Sequence, residues 1–300
     1  MGMKIIIPGA DFSASANPSV IDLVAGLPAA DLAALYLFED GTIGSAYTGV
    51  IEDVTGNGND ATFIASSSAR RSAFGFETAA DNTTRNRGFG IDTGINVSEK
   101  FTVFGVSRNR LAADSSITGQ YVMPWSLSRN FSNAVAPDLS PGAQGAINGE
   151  GIGGILHINQ QNTGGTTNYA EIASYSSKQS PDTNQAWAGS TRPSVGNTAQ
   201  PKSSWIAWAL AFDKDVGYEF RTLGTGTTVN APTQAGQFYT GHGLNTSKHL
   251  FGAMAFSGSN INGEIAMAGI YDGVAKTASE MDALIAAMKT SLAGREMTIL

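Results

Sequence analysis

Four oxygen-bearing side chains, Asp53, Asn57, Asn59 and Asp60, stand within the eight residues DVTGNGND. Carboxylates, amides and backbone carbonyls collected in this way can hold Ca²⁺, which takes six to eight oxygens at about 2.3–2.6 Å. The spacing is not that of an EF-hand loop, and two carboxylates are fewer than a hard cation generally takes. Asx turns, in which Asn and Asp bond back to nearby backbone, account for the same residues, and Gly56 and Gly58 supply positive φ without a Cβ clash. The loop thus has two readings, a calcium site and a closed hydrogen-bonded turn. No other cofactor is called for.

Glycoside hydrolysis would need two carboxylates roughly 5–10 Å apart across a cleft, on a sandwich usually from alternate residues of one strand. No E-x-D-x-E arrangement is present. Glu39 and Asp40 are adjacent and point to opposite faces, and Asp213 and Asp215 fall in a hairpin turn, so solvated turns are expected at both. His157, in ILHINQQ, alternates with apolar neighbours and reads as a hydrogen-bonded strand histidine. No nucleophile elbow supports a Ser-His-Asp triad. The chain is therefore expected not to be an enzyme.

Sugar binding would use aromatic faces and planar polar groups. Trp125, Tyr169, Trp187, Tyr239 and His242 are the candidates, in or beside polar, Gly-flanked stretches. Tyr121 and Tyr175 could serve equally as core, and Trp205 and Trp208 read as core. Trp187, in TNQAWAGSTRP, is the aromatic that strand packing explains least, and it would also suit an intersubunit anchor.

These residues need a scaffold, and the composition indicates its kind. Charged residues are 14% of the 300, Gly numbers 36, Cys is absent and the hydrophobic share is 42%. That mixture suits strands and loops, allows one large domain with a real core, and excludes disulfides, thiolate catalysis and Cys-bound zinc. A net charge of −7 without a basic cluster excludes a phosphate-tracking surface. Arg70, Arg71, Arg85 and Arg87 read as a solvated loop. The apolar run Trp205 to Phe212 is too short to span a bilayer. MGMKIIIPGADF lacks the apolar core of a secretory signal, so membrane insertion and export by that route are not expected.

Strand signals recur at 34–38, 61–65, 88–91, 101–107, 121–127, 154–159, 169–175, 205–212, 217–223, 248–256 and 264–271, separated by Gly, Asn, Ser and Pro. They predict an antiparallel two-sheet sandwich. In Phe101–Ser107 and Trp205–Phe212 both alternating sets are apolar, as in strands covered on both faces. AFDKDVGYEF predicts a hairpin. Thr277 and Glu280 form a capping box for a helix over 278–293, whose stripe Met281, Leu284, Ile285, Met288 and Leu292 docks on the sandwich, with Gly294 as its stop. Before the sandwich, Ile5–Ile7 suggests a strand and Pro18–Gly26 a turn or two of helix. The division expected is a 1–32 attachment segment and a 33–300 sandwich, with an irregular insertion at about 110–200.

Three segments carry a resemblance, in order: LYLFED with DVTGNGND; GFGIDTGINVSEKFTVFGVSR; and KSSWIAWALAFDKDVGYEF followed by INGEIAMAGIYDGVAKTASEMDAL. Together they resemble the concanavalin A-like lectin and glucanase superfamily, in particular its laminin-G-like modules, over roughly residues 33–290. The resemblance implies an all-β jelly-roll sandwich and a carbohydrate-binding role. KIIIPGADFSASA resembles the short leader of tail-fibre and other virion proteins of bacteriophages and prophages.

These resemblances imply a virion structural protein of tail-fibre, spike or decoration type, assembled in the host cytoplasm. It would form a homo-oligomer, a trimer being favoured, contact other virion subunits, and attach to host-surface polysaccharide. A free bacterial carbohydrate-binding module and a polysaccharide hydrolase or lyase on the same fold are the alternatives, since fold does not fix function.

Overall fold

The computed structural model describes residues 27–46, 49–63, 69–78, 90–109, 120–127, 152–160, 168–176, 194–200, 205–213, 216–222, 229–230, 248–252, 263–293, 295, 297 and 299. The strand at Ile5–Ile7, the helical turn at Pro18–Gly26 and the helix stop at Gly294 lie outside them. The described chain forms sixteen strands and one helix: β1 Leu32–Tyr36, β2 Val50–Ile51, β3 Ala61–Phe63, β4 Ala69–Arg71, β5 Phe76–Thr78, β6 Gly90–Asn96, β7 Lys100–Asn109, β8 Gln120–Leu127, β9 Ile152–Gln160, β10 Asn168–Ser176, β11 Ser194–Gln200, β12 Ile206–Asp213, β13 Gly217–Thr222, β14 Val229–Asn230, β15 Lys248–Gly252, β16 Gly263–Asp272 and α1 Ala278–Ala293.

Two eight-stranded sheets result, with every pairing between these strands antiparallel. Sheet A runs β14-β13-β12-β7-β16-β5-β4, and β1 joins the β16 edge beyond β5. Sheet B runs β11-β10-β9-β8-β15-β6-β3-β2. The sequence-predicted all-β sandwich with a C-terminal helix is the observed architecture.

Alternation along the strands creates two cores. The first lies between the sheets, where Phe101 and Val103 of β7, Trp208, Leu210 and Phe212 of β12, and Ile270 of β16 meet Ile91, Trp125 and Phe251 of sheet B. The second lies on the outer face of sheet A. There Phe104 and Val106, Ala207, Ala209 and Ala211 receive Met281, Leu284, Ile285, Met288 and Leu292 of α1. Both faces of β7 and β12 are thus apolar because each contacts a different layer. Alanines on β12 and Gly269 on β16 let this layer sit close; a Cβ at Gly269 would overlap the Phe104 ring.

The helix begins as its capping box predicts. The Thr277 N–H donates to Glu280 Oε2 at 2.8 Å, and the Glu280 N–H donates to Thr277 Oγ1 at 3.4 Å. The hairpin between β12 and β13 is also found, closed by Val216 N–H to Asp213 O at 3.0 Å, with Asp213 paired to Lys100 at 2.7 Å.

Three expectations need correction. Within the stretch 110–200, the described residues form β8, β9, β10 and β11, half of sheet B. The strands expected at 121–127, 154–159 and 169–175 are present there, and β9 and β10 pair in a nine-position register. The strand expected at 88–91 instead runs Gly90–Asn96, and β2, β4, β5, β11 and β14 carried no readable signal. The boundary at residue 32 falls inside the sandwich. Leu27 and Leu32 belong to the outer core, and Tyr271 Oη donates to Pro28 O at 2.9 Å.

Candidate functional site

The Asp53 loop joins the paired strands β2 and β3, and its polar groups bond inward and to β1. Asp53 is buried, and its Oδ1 accepts from the N–H of Leu35 at 3.1 Å and of Thr55 at 3.0 Å, while Oδ2 accepts from Asn59 N–H at 3.2 Å. Thr55 Oγ1 lies 2.7 Å from both oxygens. Asp60 Oδ1 accepts from Asp53 N–H at 2.9 Å, and the Asn57 and Asn59 amides donate to the carbonyls of Leu32 and Ala33, each at 2.8 Å. Gly56 and Gly58 take φ of 77° and 79°, the left-handed turn their type permits.

Tyr36 Oη closes the loop by donating to Asn59 O at 2.7 Å. Burial, with Asp53, Asp60 and Asp92 nearby, pushes its ionisation far above the ordinary tyrosine range, so it remains a donor. The four residues considered for calcium are therefore brought together as a clamp between β1 and the loop. A cation at Asp53 would have to displace N–H donors that already occupy both oxygens.

Of the aromatic candidates, Trp125 is fully buried in the core between the sheets, 5.8 Å from Phe101 and 6.1 Å from His249, ring centroid to ring centroid. Its ring is not open to a sugar, because its position on β8 faces Phe101 in the core between the sheets. Tyr169 lies on β10 opposite Asn159. Trp187, Tyr239 and His242 lie outside the described residues. His157 lies on β9 opposite Glu171.

The acids are committed elsewhere. Glu264 is buried and receives Arg108 Nε at 2.6 Å, and that guanidinium lies over the Trp205 ring at 4.5 Å. Glu39 pairs with Arg295. Asp282 on α1 takes a two-pronged contact from Arg221 of β13, both prongs at 2.5 Å, which raises the guanidinium pKa further. Arg71, expected in a solvated loop, is buried and donates to Gly75 O at 2.8 Å inside the β4–β5 hairpin. Among the described residues no group of three or more His, Asp or Glu is arranged to hold a metal.

A different surface emerges from the strand alternation of sheet B. Ile51, Ala61, Ile91, Ile95 and Phe251 point into the core between the sheets, so Val50, Thr62, Asp92, Asn96 and Lys248 share the opposite face. Register places them side by side: Val50 opposite Thr62, Thr62 opposite Asp92, and Asn96 opposite Lys248. Lys248 Nζ lies 3.6 Å from Asp92 Oδ2, and Asp92 Oδ1 accepts from Gly94 N–H at 2.8 Å. Gly94, at φ 70°, forms the irregularity where β6 and β15 change register. Such bulges re-aim side chains on a strand.

Hydroxyl, carboxylate, amide and ammonium groups thus sit on one shelf beside Val50, which is 59% exposed. Sheet A gives one face to each described core and sheet B gives its inner face to the first; on the outer face of sheet B, Leu250, opposite Asp92, is itself buried beside these polar groups. The reading of the sequence missed this shelf because it ended the strand at Ile91. The alternation I-D-T-G-I-N from Ile91 to Asn96 was the available signal, with Gly94 disguising it.

The fold and these sites define an all-β, two-sheet antiparallel sandwich backed by one helix. No family model and no curated protein matches the chain. Among solved structures it is similar to a mutant of Trypanosoma rangeli sialidase displaying trans-sialidase activity, at 12% identity and TM-score 0.50, covering 93% of this chain and 36% of that one. It is similar to the botulinum neurotoxin serotype D binding domain at 8% identity and TM-score 0.50, covering 90% of this chain and 53% of that one. A carbohydrate esterase from a Shiga toxin-encoding bacteriophage matches at 11% identity and TM-score 0.39, covering 80% of this chain and 97% of that one. The chain thus spans about a third of the sialidase and half of the neurotoxin structure, and the likeness is one of fold. No helix among the described residues is long and apolar enough to cross a membrane.

Proposed function

We propose that this chain is a virion structural protein of a bacteriophage or phage-like particle, of tail-fibre, spike or decoration type, whose lectin-like sandwich attaches to a host-surface glycan. The observation that carries the binding role is the grouping of donors and acceptors on the outer face of sheet B. On the outer face of sheet B the exposed Thr62 and Asn96 and the half-exposed Asp92 and Lys248 stand side by side around the buried Leu250. Grouped donors and acceptors of this kind match the hydroxyls of a sugar. The engagement of Asp53 by backbone amides and of Glu264 by Arg108 supports binding over hydrolysis. The virion assignment rests on the N-terminal resemblance and on a composition without Cys and with few charges.

Mass spectrometry of purified particles tests that assignment: the chain should be present in stoichiometric amount, and its consistent absence would leave a free carbohydrate-binding module as the better reading. Release of reducing ends from host polysaccharide would instead favour a hydrolase.

A further inference from the structure

His249 is the one described histidine side chain, and it is placed where a charge is costly. It lies on β15 in the core between the sheets, fully buried, with its ring edge-on to Phe101 of β7 at 4.7 Å. Its Nδ1 accepts from Trp125 Nε1–H of β8 at 3.4 Å. Indole nitrogen only donates, so the imidazole proton sits on Nε2. That Nε2 has no hydrogen-bond partner among the described residues. From β6, Thr93 Oγ1 donates to the His249 carbonyl at 2.8 Å and leaves the ring untouched.

Charged groups on the same strands are turned elsewhere. Lys100 of β7 pairs with Asp213, Arg108 of β7 with Glu264, and Lys248 of β15 with Asp92 of β6. None offsets an imidazolium at His249.

We propose that His249 is an acid-sensitive pin between the two sheets: uptake of a proton at Nδ1 breaks the Trp125 bond, places a cation against Phe101, and releases sheet B from sheet A along the β7–β8–β15 seam. The neutral ring fits the aromatic enclosure; the charged ring has no counter-ion there among the described residues.

The direction of the effect follows from linkage. Burial lowers the His249 pKa from 6.5 to about 3. A base whose folded pKa is depressed contributes its full share to stability above 6.5, and that share is lost as pH falls from 6.5 toward about 3. Each pH unit in that window lowers the closed-to-open ratio about tenfold, so passing from neutral to pH 5 lowers it about 30-fold. Between neutral and pH 5, where most carboxylates stay ionised, histidine is the group that titrates.

The test compares thermal melting of the full chain and of His249→Gln from pH 7.5 to 5, together with NMR titration of the imidazole C–H resonances of the unaltered chain. The wild type should lose melting temperature through this window and His249→Gln should lose markedly less. One of the three histidine signals should keep its neutral shift until the fold opens. Equal pH slopes in the two proteins, or three signals that all titrate near 6.5 in the folded chain, would overturn the proposal. If His249→Gln does not fold, the NMR titration decides alone.

Discussion

Asp53 shows how one side chain can close a loop. Its carboxylate takes three backbone N–H groups and the Thr55 hydroxyl, so Asp53→Ala would orphan several donors in a buried position. The expected cost is about 3 kcal/mol, read as a lower denaturation midpoint, with Asp53→Asn costing less because one oxygen remains. Calcium at millimolar concentration should leave the melting temperature unchanged, since binding would compete with those donors; a rise that Asp53→Ala abolishes would establish the site instead. The sequence displayed the loop's turn chemistry plainly, because Asp, Asn and Gly act locally. It did not show the partners. Leu35, Leu32 and Ala33 lie some twenty residues away, and only the pairing of chain segments brings their backbone to the loop. For the same reason Trp125 read as a surface aromatic: its partners Phe101 and His249 are far away in sequence and meet it only through the fold.

At the level of elements, α1 was legible almost residue by residue. The cap is local and the stripe has helical spacing, and the five buried positions on α1 are its five Met, Leu and Ile residues. Thr277→Ala should cost about 1 kcal/mol through loss of the cap. Leu284→Ala should cost about 3 kcal/mol through the cavity left against sheet A. Urea melts of both should rank Leu284→Ala as the more damaging, and a reversed order would mean that the helix does not depend on its docking. β6 was far less legible, because a left-handed Gly94 and an irregular register break the period of two on which strand reading relies. β9 and β10 were legible as strands of the sandwich, but not their pairing partners, since register is long-range.

The molecule as a whole is a three-layer object, with sheet B, sheet A and α1 stacked around two cores. Its class was readable because the double-faced strands β7 and β12 demand a layer on each side. A tail-fibre or spike role predicts a stable trimer in light scattering, whereas a free module predicts a monomer. The binding face is the central claim. Glycan-array binding by the wild type and by Asn96→Arg, a substitution at an exposed position that blocks the shelf without touching either core, tests it most directly. The account predicts discrete glycan hits for the wild type, lost in Asn96→Arg at unchanged melting temperature; wild-type hits that persist unchanged in the variant, or no hits at all, would contradict it.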